Sequence, residues 1–419
     1  MNAFTHPVYK LKLTNTLKNI LVLMSGTMIA QAVPVLVSPV LTRLYSPAEL
    51  GNLALFVSII NVAGTVIAGR YEMAILSPKS HREAAFIFNT AVWLAAMGSL
   101  VLYFPFAVSE VFHLTGLLGS NMLFVLLPVS IFLFGYFNIN NYLAIRNQEF
   151  RLVSSSRVIQ SLSTALLQVA FGFAALLRSG LITAYLIGQS ASSLYIGYRQ
   201  RSKGHAIGMR YKIFASTFRR YKEYAFINAP STLMDSISIF APIFFIKAGY
   251  SADELGYYSL AQRLITLPTV LVGQAIAQVF LQRITSLNGD KRLIKDELFK
   301  TLKWLVLIAI VGGLGIYFLS PFLFATVFGA KWELSGELAS IMSVSFFIRL
   351  IVNPVSSVFI ATQELKKLAA WQTGYFLLIV LISFIGIRVL SIESLVVAYA
   401  AFDCFIYGTC LWIIFKILK

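Results

Sequence analysis

Long apolar windows recur along the whole chain, and their length constrains it more than any other feature. They fall near 19–41, 50–69, 84–108, 120–144, 155–177, 180–198, 224–247, 256–282, 304–328, 337–361, 368–387 and 392–415. Each holds about 20 residues or slightly more, enough for a helix to cross a hydrocarbon core of roughly 30 Å. Twelve such spans in 419 residues leave no room for a soluble domain. Composition agrees: 58% of residues are hydrophobic and 12% charged, where a soluble domain is nearer half and a quarter. An all-α polytopic membrane protein is expected; disorder, a solenoid and a soluble multidomain chain are excluded. The first span is too long for a cleavable signal and no small-residue cleavage site follows it, so it is expected to stay in place.

The 34 Lys and Arg against 17 Asp and Glu give a formal charge of +17. In a soluble protein that imbalance would point to nucleic acid. In a membrane protein it should be sorted to one side. With the N-terminus placed in the cytoplasm, 27 of the 34 cations fall in inside segments. Four fall outside: Arg43, Arg178, Lys331 and Arg388. Three stay within spans: Lys247, Arg263 and Arg349. Both termini are therefore expected in the cytoplasm, and nucleic acid is not expected as a partner.

Two echoes divide the chain into halves. Tyr45-Ser46-Pro47-Ala48-Glu49-Leu50-Gly51 returns 205 residues later as Tyr250-Ser251-Ala252-Asp253-Glu254-Leu255-Gly256. Asn147-Gln148-Glu149-Phe150-Arg151 returns 215 residues later as Thr362-Gln363-Glu364-Leu365-Lys366. The first pair follows spans one and seven, the second spans four and ten. Six spans per half keep both halves in one orientation, a parallel repeat with a pseudo-twofold axis along the membrane normal. The expected organisation is an N-terminal six-helix lobe at 1–198, a basic cytoplasmic linker at 199–223 and a C-terminal six-helix lobe at 224–419. Nine of the 12 prolines fall in spans, two of them in span one and two in span seven. Such helices are expected to bend, although proline is also simply common in membrane helices.

Three segments carry a resemblance. Gly249–Thr285 resembles the seventh-to-eighth helix region of the polysaccharide transporter family, which includes the O-antigen flippases of the multidrug/oligosaccharidyl-lipid/polysaccharide exporter superfamily. Pro39–Gly51, followed by Gly69-Arg70-Tyr71-Glu72-Met73-Ala74-Ile75, is similar to that family's opening helical hairpin. Arg146-Asn147-Gln148-Glu149-Phe150, with Ser156-Arg157, is similar to its cytoplasmic loop after helix four. The resemblance implies two six-helix lobes forming a V around a central cavity. It implies alternating access that flips an undecaprenyl-pyrophosphate-linked oligosaccharide across a bacterial inner membrane. It also implies polysaccharide polymerase and chain-length proteins as partners beside the lipid, and no enzymatic step.

An anionic pyrophosphate and a polar sugar need a hydrated, preferably cationic path, and charges inside spans usually face a bundle interior or cavity. The candidate cavity cations are Arg263, Lys247, Arg349, Arg70 and Arg43. Arg263 sits about seven residues, roughly 10 Å, into span eight; a structural partnership with an acid or carbonyls is its alternative. Lys247 closes span seven and can equally snorkel to the interface. Arg349 is near the middle of span ten and can equally pair with an acid. Arg70-x-Glu72 reads as a local ion pair at the inner end of span two. Asp235 and Asp403, central in spans seven and twelve, join Glu72 as candidates for coupling Na⁺ or H⁺ or for acting as counter-ions; Asp403 reads as neutralising Arg349 or as sitting against polar groups within its lobe. Asn138, Asn140, Asn141, Gln160 and Gln168 read as interhelical glue ahead of sugar ligands. Tyr45, Tyr71, Tyr257 and Tyr258 read as belt aromatics.

The negatives also count. There is no G-x-x-x-x-G-K-[ST] run, so no internal ATPase is expected. His6, His81, His113 and His205 lack metal-ligand spacing. Cys404 and Cys410 read as packing residues. An organic-cation antiporter of the same superfamily would need an acidic cavity, and a polysaccharide-assembly enzyme would need longer outer loops. Both are weaker readings.

Overall fold

The computed structural model describes residues 7–111, 126–174, 180–201, 211–287 and 290–419, and among them there is helix and no strand. The helices are α1 (Pro7–Leu44), α2 (Pro47–Val66), α3 (Tyr71–Ala74), α4 (His81–Val111), α5 (Leu127–Arg146), α6 (Phe150–Ala174), α7 (Gly180–Arg201), α8 (Tyr211–Arg220), α9 (Ala229–Gly249), α10 (Ala252–Thr285), α11 (Lys291–Leu323), α12 (Glu333–Val355), α13 (Val358–Ala361), α14 (Leu365–Val389) and α15 (Ile392–Ile417). Wide π turns at Tyr224–Asn228 and Phe324–Phe328 adjoin α9 and α11. The second follows Pro321, which lacks the donor needed to continue a regular turn. Arg178 and three histidines singled out above, His6, His113 and His205, lie outside the described residues.

Helices stand at all twelve expected spans. Among the described residues nine are long and apolar enough to cross a membrane. The other three, α5, α6 and α7, are 20, 25 and 22 residues long. They are diluted by polar residues, Asn138, Asn140 and Asn141 in α5 and Gln160 and Gln168 in α6.

Both echoes take the same backbone form in each half. At the first, Ser46 Oγ accepts from the Glu49 amide at 3.3 Å while Glu49 Oε2 accepts from the Ser46 amide at 2.9 Å. Ser251 and Glu254 repeat this capping box at 3.2 and 2.8 Å. At the second, α5 ends with the Glu149 amide on Ala144 O and the Gln148 amide on Ile145 O. The segment after α13 repeats this with Glu364 on Phe359 O and Gln363 on Ile360 O. That bonding requires a left-handed residue after the helix, and Gln148 and Gln363 supply it at φ 58° and 59°.

The chain forms two compact units. One holds Met1–Val37 and Ile59–Leu233, the other Ser38–Ser58 and Met234–Lys419. Contiguous lobes read from the sequence and these units divide the chain differently at Ser38–Ser58. In the first unit α7 packs on α5 and α6, and α4 on α5 and α8. A core of Tyr71, Ile75, Ile87, Phe88 and Ile139 closes around α3. In the second, α12 is central, packed against α10, α11 and α15. Ser38–Ser58 is bound there by several bonds. Trp332 Nε1 donates to Thr42 O at 3.1 Å, Lys331 Nζ to Tyr45 O at 3.0 Å, and the Ala48 amide to Asp253 Oδ1 at 2.9 Å. The starts of α2 and α10 cross so closely that a Cβ on Gly256 would stand 1.9 Å from Pro47 O, and one on Gly51 2.5 Å from Ala252 O. Gly51 and Gly256 are equivalent residues of the repeat, so repeat-related glycines meet at this crossing.

Candidate functional site

The charged residues inside spans fall into three states: paired, hydrogen-bonded to a neutral group, and unpartnered. Arg349 on α12 and Asp403 on α15 form a two-pronged pair. Arg349 Nε donates to Oδ2 at 2.9 Å and Nη2 to Oδ1 at 3.0 Å. Nη2 also reaches the Tyr375 hydroxyl at 3.2 Å, and the guanidinium lies 5.8 Å from the Tyr407 ring centroid. Asp403 is 2% exposed. A planar fork meeting both carboxylate oxygens is the strongest arrangement the two side chains offer, and it neutralises both charges.

Asp235 on α9 accepts from Gln372 Nε2 on α14 at 3.3 Å. Among the described residues no cation bonds to it.

Arg263 lies on α10, within the span Ala252–Thr285. Among the described residues no hydrogen bond or ion pair reaches its guanidinium. Lys247 is half-buried in the last turn of α9, also without an ion pair, and Arg43 is exposed in the last turn of α1. Of the eight residues singled out, these six fall in the second unit, and Arg70 and Glu72 in the first.

Arg70 and Glu72 lie between two spans, Pro47–Val66 and His81–Tyr103. Gly69 and Arg70 turn the chain with φ of 59° and 60°. For a non-glycine residue such a φ is uncommon and persists where surrounding bonds over-determine it. Here they do: Arg70 Nη1 meets Glu72 Oε1 at 3.2 Å, Nε donates to Asn228 Oδ1 at 3.1 Å, and Nη2 reaches Met73 Sδ at 2.7 Å. Glu72 is 3% exposed and its second oxygen, Oε2, has no hydrogen-bond partner among the described residues. Burial pushes its carboxyl up to about 7, against the opposing pull of Arg70 and a backbone hydrogen bond.

Two of the amides singled out above, Gln160 and Gln168, bond from α6 to α7, whereas Asn140 bonds within α5. Gln160 on α6 donates to Gln189 on α7, Gln168 Nε2 to Leu181 O at 3.3 Å, and Asn140 Nδ2 to Tyr136 O at 2.8 Å. The tyrosines correct the belt expectation. Tyr45, Tyr71 and Tyr258 are buried, and Tyr71 stacks on Phe218 while its hydroxyl donates to Phe218 O at 2.7 Å. Tyr257 packs edge-on to the buried Trp332. Tyr45 and Tyr257 both meet the turn Ala330–Trp332, Tyr45 through the Lys331 ammonium and Tyr257 through the Trp332 ring. Cys410 is buried, Cys404 exposed, and neither is bonded. Among the described residues no group of three metal-binding side chains forms.

Sequence reasoning missed Asp253, Trp332 and Lys331, which hold Ser38–Ser58. It also missed Arg146, whose Nη1 donates to Ile75 O at 2.8 Å. One signal was legible: Asp253 stands opposite Ala48 in the repeat, and the difference falls on the residue that bonds across.

Among the described residues an all-helical, multi-pass membrane fold with unpartnered charge in its spans is thus defined. Solved structures share it. The lipid II flippase MurJ in its inward closed conformation superimposes with a TM-score of 0.77 at 15% identity, over 95% of this chain and 89% of that one. An inward-facing multidrug resistance MATE family transporter of the MOP superfamily gives 0.73 at 16% identity, over 92% and 94%. The family model described as polysaccharide biosynthesis protein matches residues 40–337, and the chain belongs to that family. Among curated proteins, the teichuronic acid biosynthesis protein TuaB of Bacillus subtilis (strain 168) is 22% identical over 260 residues, 60% of this chain and 53% of that protein. The lipopolysaccharide biosynthesis protein WzxC of Escherichia coli (strain K12) is 22% identical over 180 residues, 43% and 36%. The chain spans about half the length of the curated relatives it matches, or less.

Proposed function

We propose that this protein is a flippase that moves an undecaprenyl-pyrophosphate-linked oligosaccharide, the repeat unit of a surface polysaccharide, from the cytoplasmic to the periplasmic leaflet. The observation that carries this reading is Arg263, an arginine within a span that meets no acidic partner among the described residues. An uncompensated cation at that depth is costly and is retained where it meets a hydrated path or an anion. Arginine's planar fork suits phosphate oxygens. Lys247, without an ion pair among the described residues, adds a second cation in the same unit, whereas Asp403 is neutralised by Arg349. The charge left over is therefore positive, which favours an anionic substrate over an organic cation.

In this reading transport runs by alternating access and is driven by an ion gradient, Na⁺ or H⁺, with Asp235 as the acid within a span that no cation occupies. The protein performs no covalent step. It sits in a bacterial inner membrane with both termini in the cytoplasm, as the 27-to-4 sorting of cations argues. Polymerase and chain-length proteins receive its product.

Deleting the gene and weighing the lipid-linked sugars of the membrane tests this. Accumulation of one lipid-linked oligosaccharide on the cytoplasmic face is expected, and restoring the wild-type gene, but not Arg263→Ala, should clear it. No accumulation, with altered susceptibility to cationic drugs instead, would favour the antiporter. Transport that survives collapse of both the Na⁺ and proton gradients would remove ion coupling.

A further inference from the structure

The turn after α2 has a property the reading above does not use. Glu72 is buried with one oxygen on Arg70 and the other on nothing. Arg70 holds Asn228 and Met73 through Nε and Nη2, so Nη1 is the corner whose only partner is Glu72. The Arg70 side chain keeps 15% of its surface open, against 4% for Glu72. The other charged and titratable groups around α3 are occupied or turned away. From α4, Glu83 is taken by Arg220 and by the Tyr221 hydroxyl, each at 2.9 Å, Arg82 lies over the Phe86 ring, and His81 is exposed. From α5, Arg146 donates to Ile75 O and Ser80 O. From the π turn, the Tyr224 hydroxyl meets Ser77 Oγ at 2.9 Å. Among the described residues Arg70 is the only charge that touches the Glu72 carboxylate.

We propose that Arg70 and Glu72 form a proton-gated oxyanion site: the ionised carboxylate occupies the guanidinium, and a proton taken up by Glu72 frees Nη1 for a diphosphate. The proton comes from water and returns to it when the anion leaves, so nothing else is consumed. Naming diphosphate as the ligand rests on the flippase reading; the gate itself rests on the geometry. A buried carboxylate with an empty oxygen needs little help to take a proton, and burial already places its midpoint at about 7. Linkage fixes the sign. Glu72 is protonated below about pH 7, so the anion binds more tightly in acid, and anion binding draws a proton in.

The test uses the full chain in nanodiscs of uncharged lipid and two probes, inorganic pyrophosphate and a polyprenyl diphosphate, followed by calorimetry. Relative to Glu72→Gln, whose residual pH dependence measures titration of the probe itself, wild type should bind about tenfold more tightly one pH unit below the midpoint than one unit above it. Arg70→Gln should lose this component, and Arg263→Ala should keep it. Tighter binding of the polyprenyl probe assigns the site to a lipid headgroup; equal binding assigns it to the free anion. If Glu72→Gln does not fold, wild type alone still decides. Near neutrality, comparing buffers of different ionisation heat should show proton uptake with the anion beyond the probe's own. Binding of neither probe, equal pH dependence in wild type and Glu72→Gln, or no such uptake overturns the proposal. The flippase reading stands or falls separately, on the sugar that accumulates in the deletion strain.

Discussion

Two arginines inside spans of the same unit have opposite surroundings. Arg349 spends its fork on both oxygens of Asp403 and adds a tyrosine hydroxyl and an aromatic face. Arg263 touches no acid among the described residues. The contrast separates a charge that holds helices together from a charge held ready. Asp403 brings α15 to α12, with Tyr375 of α14 against the same guanidinium, so the pair acts as a joint. Arg263 joins no other charge among the described residues. Arg70 falls between the two: it is paired, but with a carboxylate whose second oxygen is empty.

If that contrast is right, substitutions at these sites should differ in sign and size in thermal unfolding of the purified protein. Asp403→Ala should cost most, about 3–5 kcal/mol, because it strands a guanidinium that has lost its counter-charge. Replacing Arg349 with leucine in the same chain should recover part of the loss; no recovery would mean that the pair is not a self-contained joint. Glu72→Gln should show the next largest effect, in the opposite direction and only at high pH. The folded carboxyl is raised from 4.5 to about 7, so the stability it contributes is full below about 4.5 and lost as pH rises to about 7. The neutral variant should therefore equal wild type in acid and exceed it above neutrality by about 1–3 kcal/mol. Tyr375→Phe removes one bond to Arg349 and should cost about 1 kcal/mol. Arg263→Ala should cost no stability, because it removes an uncompensated charge from a span rather than a partner from a pair, yet abolish surface polysaccharide while the protein still inserts. A loss at Arg263 matching that at Asp403 would erase the contrast, and normal polysaccharide would remove Arg263 from the site.

Much of this fold was legible locally. The spans follow from apolar length alone. Ser46 with Glu49, and Ser251 with Glu254, form capping boxes because a three-residue spacing places each side chain on the other's backbone amide. The repeat was legible as two echoes, though not that Gln148 and Gln363 would take the same left-handed turn at its second copy. The candidate site was less legible. Arg349 and Asp403 were both visible as mid-span charges 54 residues apart, and their pairing was one of the readings open to them, but only the packing of α12 on α15 selects it. Asp235 was equally visible, and its neighbour, Gln372, was not a candidate at all. The closest miss was Ser38–Ser58. It belongs to the first half by order along the chain and to the second unit by packing, because bonds from Lys331, Trp332 and Asp253 hold it.

From sequence alone came the number and length of the helical spans, their charge sorting and the internal repeat. These depend on the cost of polar groups in hydrocarbon and on spacings of a few residues, which any stretch of chain carries with it. Tertiary structure decided which charges are neutralised. That outcome depends on side chains brought within about 3 Å by helices distant in sequence. It is why Arg349 and Arg263, equivalent as letters in apolar runs, became a joint and an open cation.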